Sequence, residues 1–213
     1  MADVALECFF DCSSPWTYLG VHNLKAMARR LGIEIQWKPI IVGGVFNKVN
    51  PAVYEMRANP PSAPKAAYVH KDIQDWARFS GLTINEPPAC GHPVNAVKCM
   101  RACITLRPSG KLDAFATAAF ESLWIDGRNL ADDVVLRDIC AVVDVDAEWL
   151  LAAIATPEIK QALWDNTNEA MDRGAFGSPT FFVDHDDMYF GNDHLPLVEF
   201  AIEQRRQVMA AMT

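Results

Sequence analysis

Val4-Ala5-Leu6-Glu7-Cys8-Phe9-Phe10-Asp11 is followed, two residues later, by Ser14-Pro15-Trp16-Thr17. The first stretch is short and almost continuously apolar, the pattern of a strand buried on both faces. The second begins a helix. Serine suits the N-cap, where its oxygen takes an orphan amide, and proline suits the first helical position, where no N–H is needed. Leu24, Met27, Ala28 and Leu31 continue it at i, i+3, i+4 and i+7, and Gly32 ends it. Ile33, Ile35 and Trp37 then alternate with Glu34 and Gln36, which predicts a second strand ending near Pro39. A right-handed crossover through the helix makes the two strands parallel.

Beyond this unit the pattern changes. Residues 42–64 read as a loop-rich stretch, with Gly43-Gly44, Asn50-Pro51, Asn59-Pro60-Pro61 and Pro64 as breakers. Helical spacings follow: Val69, Ile73 and Trp76 before Gly81; Val97, Met100 and Ile104; Leu112, Phe115, Ala119 and Leu123 before Gly127. Three more helices start at Asp132, Asp146 and Thr156-Pro157, the last two with N-cap residues in place. Sheet signals return at Thr180-Phe181-Phe182-Val183, a turn at Asp184 to Asp187, and Met188-Tyr189-Phe190. Gly191-Asn192-Asp193 opens a last helix with Leu195, Val198 and Ile202 facing inward. The order is βαβ, helices, then ββα. It predicts an α/β chain with a thioredoxin-like fold split by a large all-helical insertion: residues 1–45 and 175–213 form the thioredoxin-like domain, and 46–174 the insertion.

Composition narrows the partners. Of 213 residues, 51% are hydrophobic and 22% charged, a globular balance. A net charge of −8 disfavours nucleic acid and anionic lipid. No run of about 18 apolar residues occurs, so no membrane span is expected. The N-terminal residues lack the basic start of a signal peptide. The six cysteines form no C-x-x-C pair, which favours a reduced, cytoplasmic protein.

Ser14-Pro15-Trp16-Thr17 also carries the chemistry. It occupies the strand-to-helix junction where thioredoxin-like oxidoreductases keep two cysteines; here both positions are hydroxyls, so dithiol exchange is ruled out at this site. A hydroxyl and free amides at a helix N-terminus are suited to hold an anion, while Ser14 as a simple cap stays open. Ser178-Pro179-Thr180 precedes the third strand, where this fold keeps a cis proline whose neighbour exposes its backbone to an extended peptide. An ordinary trans proline is the alternative. The five histidines and the Cys90, His92, Cys99, Cys103 grouping match no common metal spacing, so packed or surface roles and no metal are expected. Trp16 is a candidate wall for an aromatic substrate.

Several stretches, in order, resemble one family: Phe10 to Leu19, Trp37-Lys38-Pro39, Asn59-Pro60-Pro61 through Lys65 and Tyr68, and His92-Pro93-Val94-Asn95. Trp124-Ile125-Asp126-Gly127-Arg128, Gly174 to Asp184 and Gly191-Asn192-Asp193 complete the set. The chain resembles the 2-hydroxychromene-2-carboxylate isomerases and their kappa-class glutathione transferase relatives. The resemblance implies a glutathione-dependent isomerase of a hydroxybenzylidenepyruvate-type intermediate of aromatic degradation, working as a homodimer on a small aromatic carboxylate. It implies that Ser14 meets the glutathione sulfur and that Ser178 and Pro179 pair with its cysteinyl backbone. It further implies that Asn59 and Lys65 hold polar ends of glutathione or substrate, that Asn192 and Asp193 meet the γ-glutamyl group, and that Lys38 meets a substrate carboxylate. Two positions depart from the pattern: Cys12 and His194 stand where an aromatic and an arginine are expected. The alternatives are a kappa-like transferase or peroxidase and a non-catalytic thioredoxin-like binding protein.

Overall fold

The structure, a computed structural model, describes residues 4–53, 55 and 62–211. Strand β1 (Leu6–Phe10) leads into helix α1 (Pro15–Leu31), capped by Ser14 and closed by Gly32 at φ 62°, a left-handed value that glycine adopts freely. Strand β2 (Ile35–Pro39) pairs parallel to β1, Leu6 opposite Ile35 and Phe10 opposite Pro39. Strands β3 (Thr180–Val183) and β4 (Asp187–Phe190) form the expected hairpin, and β3 lies antiparallel to β1. The sheet order is β2-β1-β3-β4, so β1 and β3 are central. A 3₁₀ turn at Asn192–His194 leads into a last helix at Leu195–Ala211, whose Leu195, Val198 and Ile202 are buried. The chain thus has the thioredoxin-like α/β fold.

The helices that run between β2 and β3 include α2 (Val42–Val49), α3 (Ala63–Phe79), α4 (Val97–Leu106), α5 (Leu112–Trp124), α6 (Asp133–Val142), α7 (Ala147–Ala153) and α8 (Pro157–Asp172). The last helix, Leu195–Ala211, is α9. Asp146 caps α7 by accepting from the amides of Glu148 and Trp149, and Thr156 caps α8 by accepting from that of Ile159. No helix among the described residues is long and apolar enough to cross a membrane.

The loop reading of residues 42–64 needs correction at its start, where α2 forms in spite of Gly43-Gly44. Burial outweighs propensity here: Val42 and Val45 face inward, and Gly44 lets the helix approach Trp164 so closely that a Cβ would lie 3.1 Å from its ring. The domain boundary placed between residues 45 and 46 consequently falls inside this helix.

Both faces of β1 are buried, as its apolar run implies. Leu6, Cys8 and Phe10 join α1, α4, α5 and α9 in the larger core, around Phe120, Trp124 and Phe181. Phe9 packs edge-on to Phe182 with Val45 and Ala170 in a smaller core beneath α2 and α8. This double burial fixes the end of β1, and with it residues 11–14, against two layers. Gly20 in α1 marks the closest approach between helix and sheet: a Cβ there would sit 2.7 Å from Pro179 Cγ. Propensity alone makes Gly20→Ala stabilising by about 1 kcal/mol. Overpacking against Pro179 reverses the sign, and we expect a net loss of about 1–3 kcal/mol by urea unfolding.

Candidate active site

The site begins with the N-cap. Ser14 has an extended backbone (φ −114°, ψ 127°), and its Oγ accepts from the Thr17 amide at 3.2 Å. A hydroxyl offers one proton and two lone pairs. The amide takes a lone pair, and no acceptor among the described residues takes the proton. The hydroxyl stands at the N-terminus of α1, so an anion that accepts from it would lie in a region of positive helix potential. Thr17, the other hydroxyl of the tetrapeptide, is fully buried and its Oγ1 lies 2.9 Å from Ser178 Oγ. One hydroxyl therefore faces outward and the other ties the helix to the neighbouring loop.

That loop carries the Ser178–Pro179 peptide, which is cis. Ser178 Oγ accepts from the Asp11 amide at 3.1 Å, while its own main-chain N–H and C=O have no partner among the described residues. Asp11 is buried and organises the opposite wall. Its carboxylate accepts from Ser13 N (2.9 Å), Ser13 Oγ (2.8 Å) and Val42 N (2.9 Å). Burial pushes its pKa up, against the opposing pull of these three donors.

Two cavities meet here. One of about 530 Å³ is lined by Ser14, Trp16, Phe46, Ile73, Glu86 and His92, among others. A second of about 300 Å³ lies among Trp16, Asp72, Trp76, Pro179, Asn192 and Asp193. Trp16 and Ser178 wall both, so the two make one groove that runs past the tip of α1. At its far end Asn192 is buried; its Oδ1 accepts from Asn23 at 2.8 Å, but its Nδ2 has no partner among the described residues. An unmet buried donor costs about 1–3 kcal/mol, and a ligand acceptor in the groove would relieve it.

Ser14, Trp16, Ser178, Pro179, Asn192 and Asp193 are thus brought together along this groove. Asn59 lies outside the described residues. Lys65 is exposed in the first turns of α3 and does not appear among the described lining residues; Asp72, which does, is seven residues further, about two turns along the same face. Lys38 lies elsewhere. Its Nζ is held by Glu169 at 3.0 Å and by Glu7 at 3.7 Å, and it lines a separate cavity on the β2 edge. Strand alternation puts it on the face of Phe9, where two carboxylates claim the ammonium.

Cys12 is no hidden nucleophile. It is fully buried, its amide donates to Met100 Sδ at 3.4 Å, and burial pushes its thiol well above the usual range. All six cysteines are free thiols. Among the described residues, no three His, Cys, Asp or Glu side chains are placed to hold a metal ion. What the sequence reading missed is the contribution of the helical segment: Asp72, Trp76, Glu86 and His92 all line the groove. No spacing rule links His92 to Ser14; only the fold does.

The comparisons with known proteins bear on the family and the fold. Residues 5–203 match the DsbA-like thioredoxin domain family. A 2-hydroxychromene-2-carboxylate isomerase of Sphingobium xenophagum is 30% identical over 202 residues, covering 91% of this chain and 95% of that protein. Glutathione S-transferase kappa 2 of Caenorhabditis elegans is 27% identical over 209 residues, covering 91% and 89%. A solved 2-hydroxychromene-2-carboxylate isomerase superposes with a TM-score of 0.82 at 22% identity, covering 98% of this chain and 99% of its own. The chain belongs to the DsbA-like thioredoxin-domain family, within the group that holds the 2-hydroxychromene-2-carboxylate isomerases and the kappa-class glutathione transferases.

Proposed function

We propose that this protein is a glutathione-dependent isomerase of a 2-hydroxychromene-2-carboxylate or hydroxybenzylidenepyruvate-type intermediate of aromatic degradation. The observation that carries the reading is the unclaimed hydroxyl proton of Ser14, set at a helix tip across a groove from Ser178. Glutathione, when bound, supplies a thiolate for reversible addition to a conjugated double bond. The chain's own residues fit such a ligand. Ser14 donates to its sulfur, and the free N–H and C=O of Ser178 beside Pro179 pair with a short extended peptide. The orphan amide of Asn192 meets a carboxylate, and Asp193 meets an ammonium group. Trp16 offers an aromatic wall where the two cavities join. By resemblance alone, Asn59 and Lys65 hold polar ends of glutathione or substrate.

The proposal extends to a cytoplasmic homodimer, and to a two-lobe division with residues 1–45 and 175–213 as the thioredoxin-like part and 46–174 as the helical part. The relatives named kappa-class transferases favour a second reading, a transferase or peroxidase in which a glutathione adduct is released. A third, a binding protein without turnover, predicts no glutathione-dependent reaction at all. Absorbance-monitored conversion of a hydroxychromene carboxylate, with an aryl halide run beside it, separates the three. We expect the isomerised open-chain acid to form from the chromene only when glutathione is present. Equal conversion without it removes both glutathione readings.

A further inference from the structure

His92 is assigned no role by the proposed reaction, yet it lines the same cavity as Ser14. Its Nε2 lies 3.1 Å from the main-chain oxygen of Ser13, the residue before Ser14. A carbonyl oxygen only accepts, so Nε2 carries the ring proton and Nδ1 is the basic nitrogen of the neutral ring. Nδ1 has no partner among the described residues. The ring is held in place by Trp124, with centroids 5.7 Å apart, and the Trp124 indole N–H is itself fixed to the Cys12 carbonyl at 3.0 Å. Both contacts tie the imidazole to residues 12–13, so its position is set relative to the tip of α1. Among the described residues that line this cavity, the titratable groups facing His92 are few. Glu86 stands on the wall with its carboxylate 3.1 Å from His70 of α3, and buried Asp11 lies beneath Ser13.

The substrate class proposed above, on which this inference rests, poses a second chemical task. A 2-hydroxychromene-2-carboxylate is a cyclic hemiketal, with hydroxyl and ring oxygen on one carbon, and a double bond held inside a ring cannot rotate. The ring must open first, and opening moves a proton from one oxygen to the other. We propose that His92 is the catalytic base and acid that opens and closes this ring. Nδ1 takes the hydroxyl proton, and the freed O–H electron pair forms the ketone. The bond from that carbon to the ring oxygen breaks, its electron pair leaving on the phenolic oxygen. The imidazolium then returns the proton to that oxygen. One proton is borrowed and returned, nothing is oxidised or reduced, and the two oxygens share a carbon, so a single nitrogen serves both.

The test uses the full chain without glutathione, so that ring opening is read apart from isomerisation. Exchange between cyclic and open forms of the hydroxychromene carboxylate is followed by NMR. Wild type accelerates the exchange above its rate in buffer alone. His92→Gln keeps a donor for the Ser13 carbonyl but has no base; its exchange rate drops about 100-fold. In His92→Ala, added imidazoles restore the rate, more so as the basicity of the additive rises. Thermal unfolding of both variants serves as the control for the fold. A His92→Gln enzyme that opens the ring as fast as wild type overturns the assignment. So does a variant that changes only KM, which would make His92 a carboxylate holder. Glutathione is then added to wild type: failure to form the trans acid, with ring opening intact, removes the isomerase reading and leaves the His92 assignment standing.

Discussion

Replacing Ser14 by alanine is expected to lower glutathione-dependent turnover by about 100-fold, the usual effect of removing one preorganised donor to a developing or standing anion. The magnitude follows from the thiol. A free thiol near pKa ~8.5 is only a few per cent ionised at neutral pH, and lowering it by about two units takes roughly 2.7 kcal/mol. A charge-assisted hydrogen bond contributes about 1.5–3 kcal/mol, and a helix N-terminus about 0.3–1 kcal/mol. One hydroxyl on α1 is therefore enough, and its loss leaves mainly the helix term. Because Ser14 also caps the helix, alanine is expected to cost about 0.5–2 kcal/mol of stability as well. Ser14→Asp separates the two roles. Its carboxylate still accepts from the Thr17 amide, so the fold keeps its cap, but it has no proton to give and it repels a thiolate. We expect an aspartate variant as stable as wild type and less active than the alanine one. Ultraviolet titration of the thiolate in the glutathione complex gives the direct check; an unchanged thiol titration in Ser14→Ala sinks the mechanism.

The second large effect concerns stability. Glu7 is the second residue of β1, its side chain 2% exposed, and Arg173 reaches it with both terminal guanidinium nitrogens, at 3.2 and 2.5 Å. Arg173 also bonds Glu169 at 2.8 Å and the His185 carbonyl at 2.7 Å, and it lies 3.9 Å over the ring of Phe182. Burial pushes the Glu7 pKa up, but Arg173, with Lys38 and His185, pulls it down further, so the net shift is downward. A carboxyl depressed on folding stabilises above its unfolded pKa, ~4.3, and that contribution is lost as pH falls through the folded value. Arg173→Met leaves a buried carboxylate without its main partner, and we expect a loss of about 3–5 kcal/mol at pH 7. The gap between variant and wild type should close in acid, as the pH falls below the unfolded carboxyl value of ~4.3 and through the depressed folded one. Adding Glu7→Gln to Arg173→Met should recover most of the loss at pH 7. Urea unfolding at two pH values measures both; a loss independent of pH would assign the effect to lost packing on Phe182 instead.

The elements that position the groove were largely legible. Alternation at Ile35 and Trp37, the Ser14-Pro15 start, the Gly32 stop and the caps at Asp146 and Thr156 each act over a few residues, so a single chain displays them. Ser14, Trp16, Ser178 and Pro179 stood out as candidates because they sit at strand and helix ends, which the pattern locates, whereas Asn192 and Asp193 were candidates through the family resemblance; all six line the groove. Where local signals conflicted with distant packing, the reading missed. Gly43-Gly44 looks like a break until Trp164 presses against it. Lys38 looks available until Glu169, 131 residues away, meets its ammonium group.

The sequence by itself determined the βαβ and ββα order, a hydroxyl pair in place of a thiol pair, and the helix tip that carries it. Tertiary structure alone decided which polar groups are left unpaired: the Ser14 proton, the Asn192 amide and the far nitrogen of His92, whose ring meets Ser13 from 79 residues away. The physical reason is range. Backbone preference and periodicity are set within a turn or a strand, whereas hydrogen-bond satisfaction depends on every chain segment that packing brings within about 3 Å.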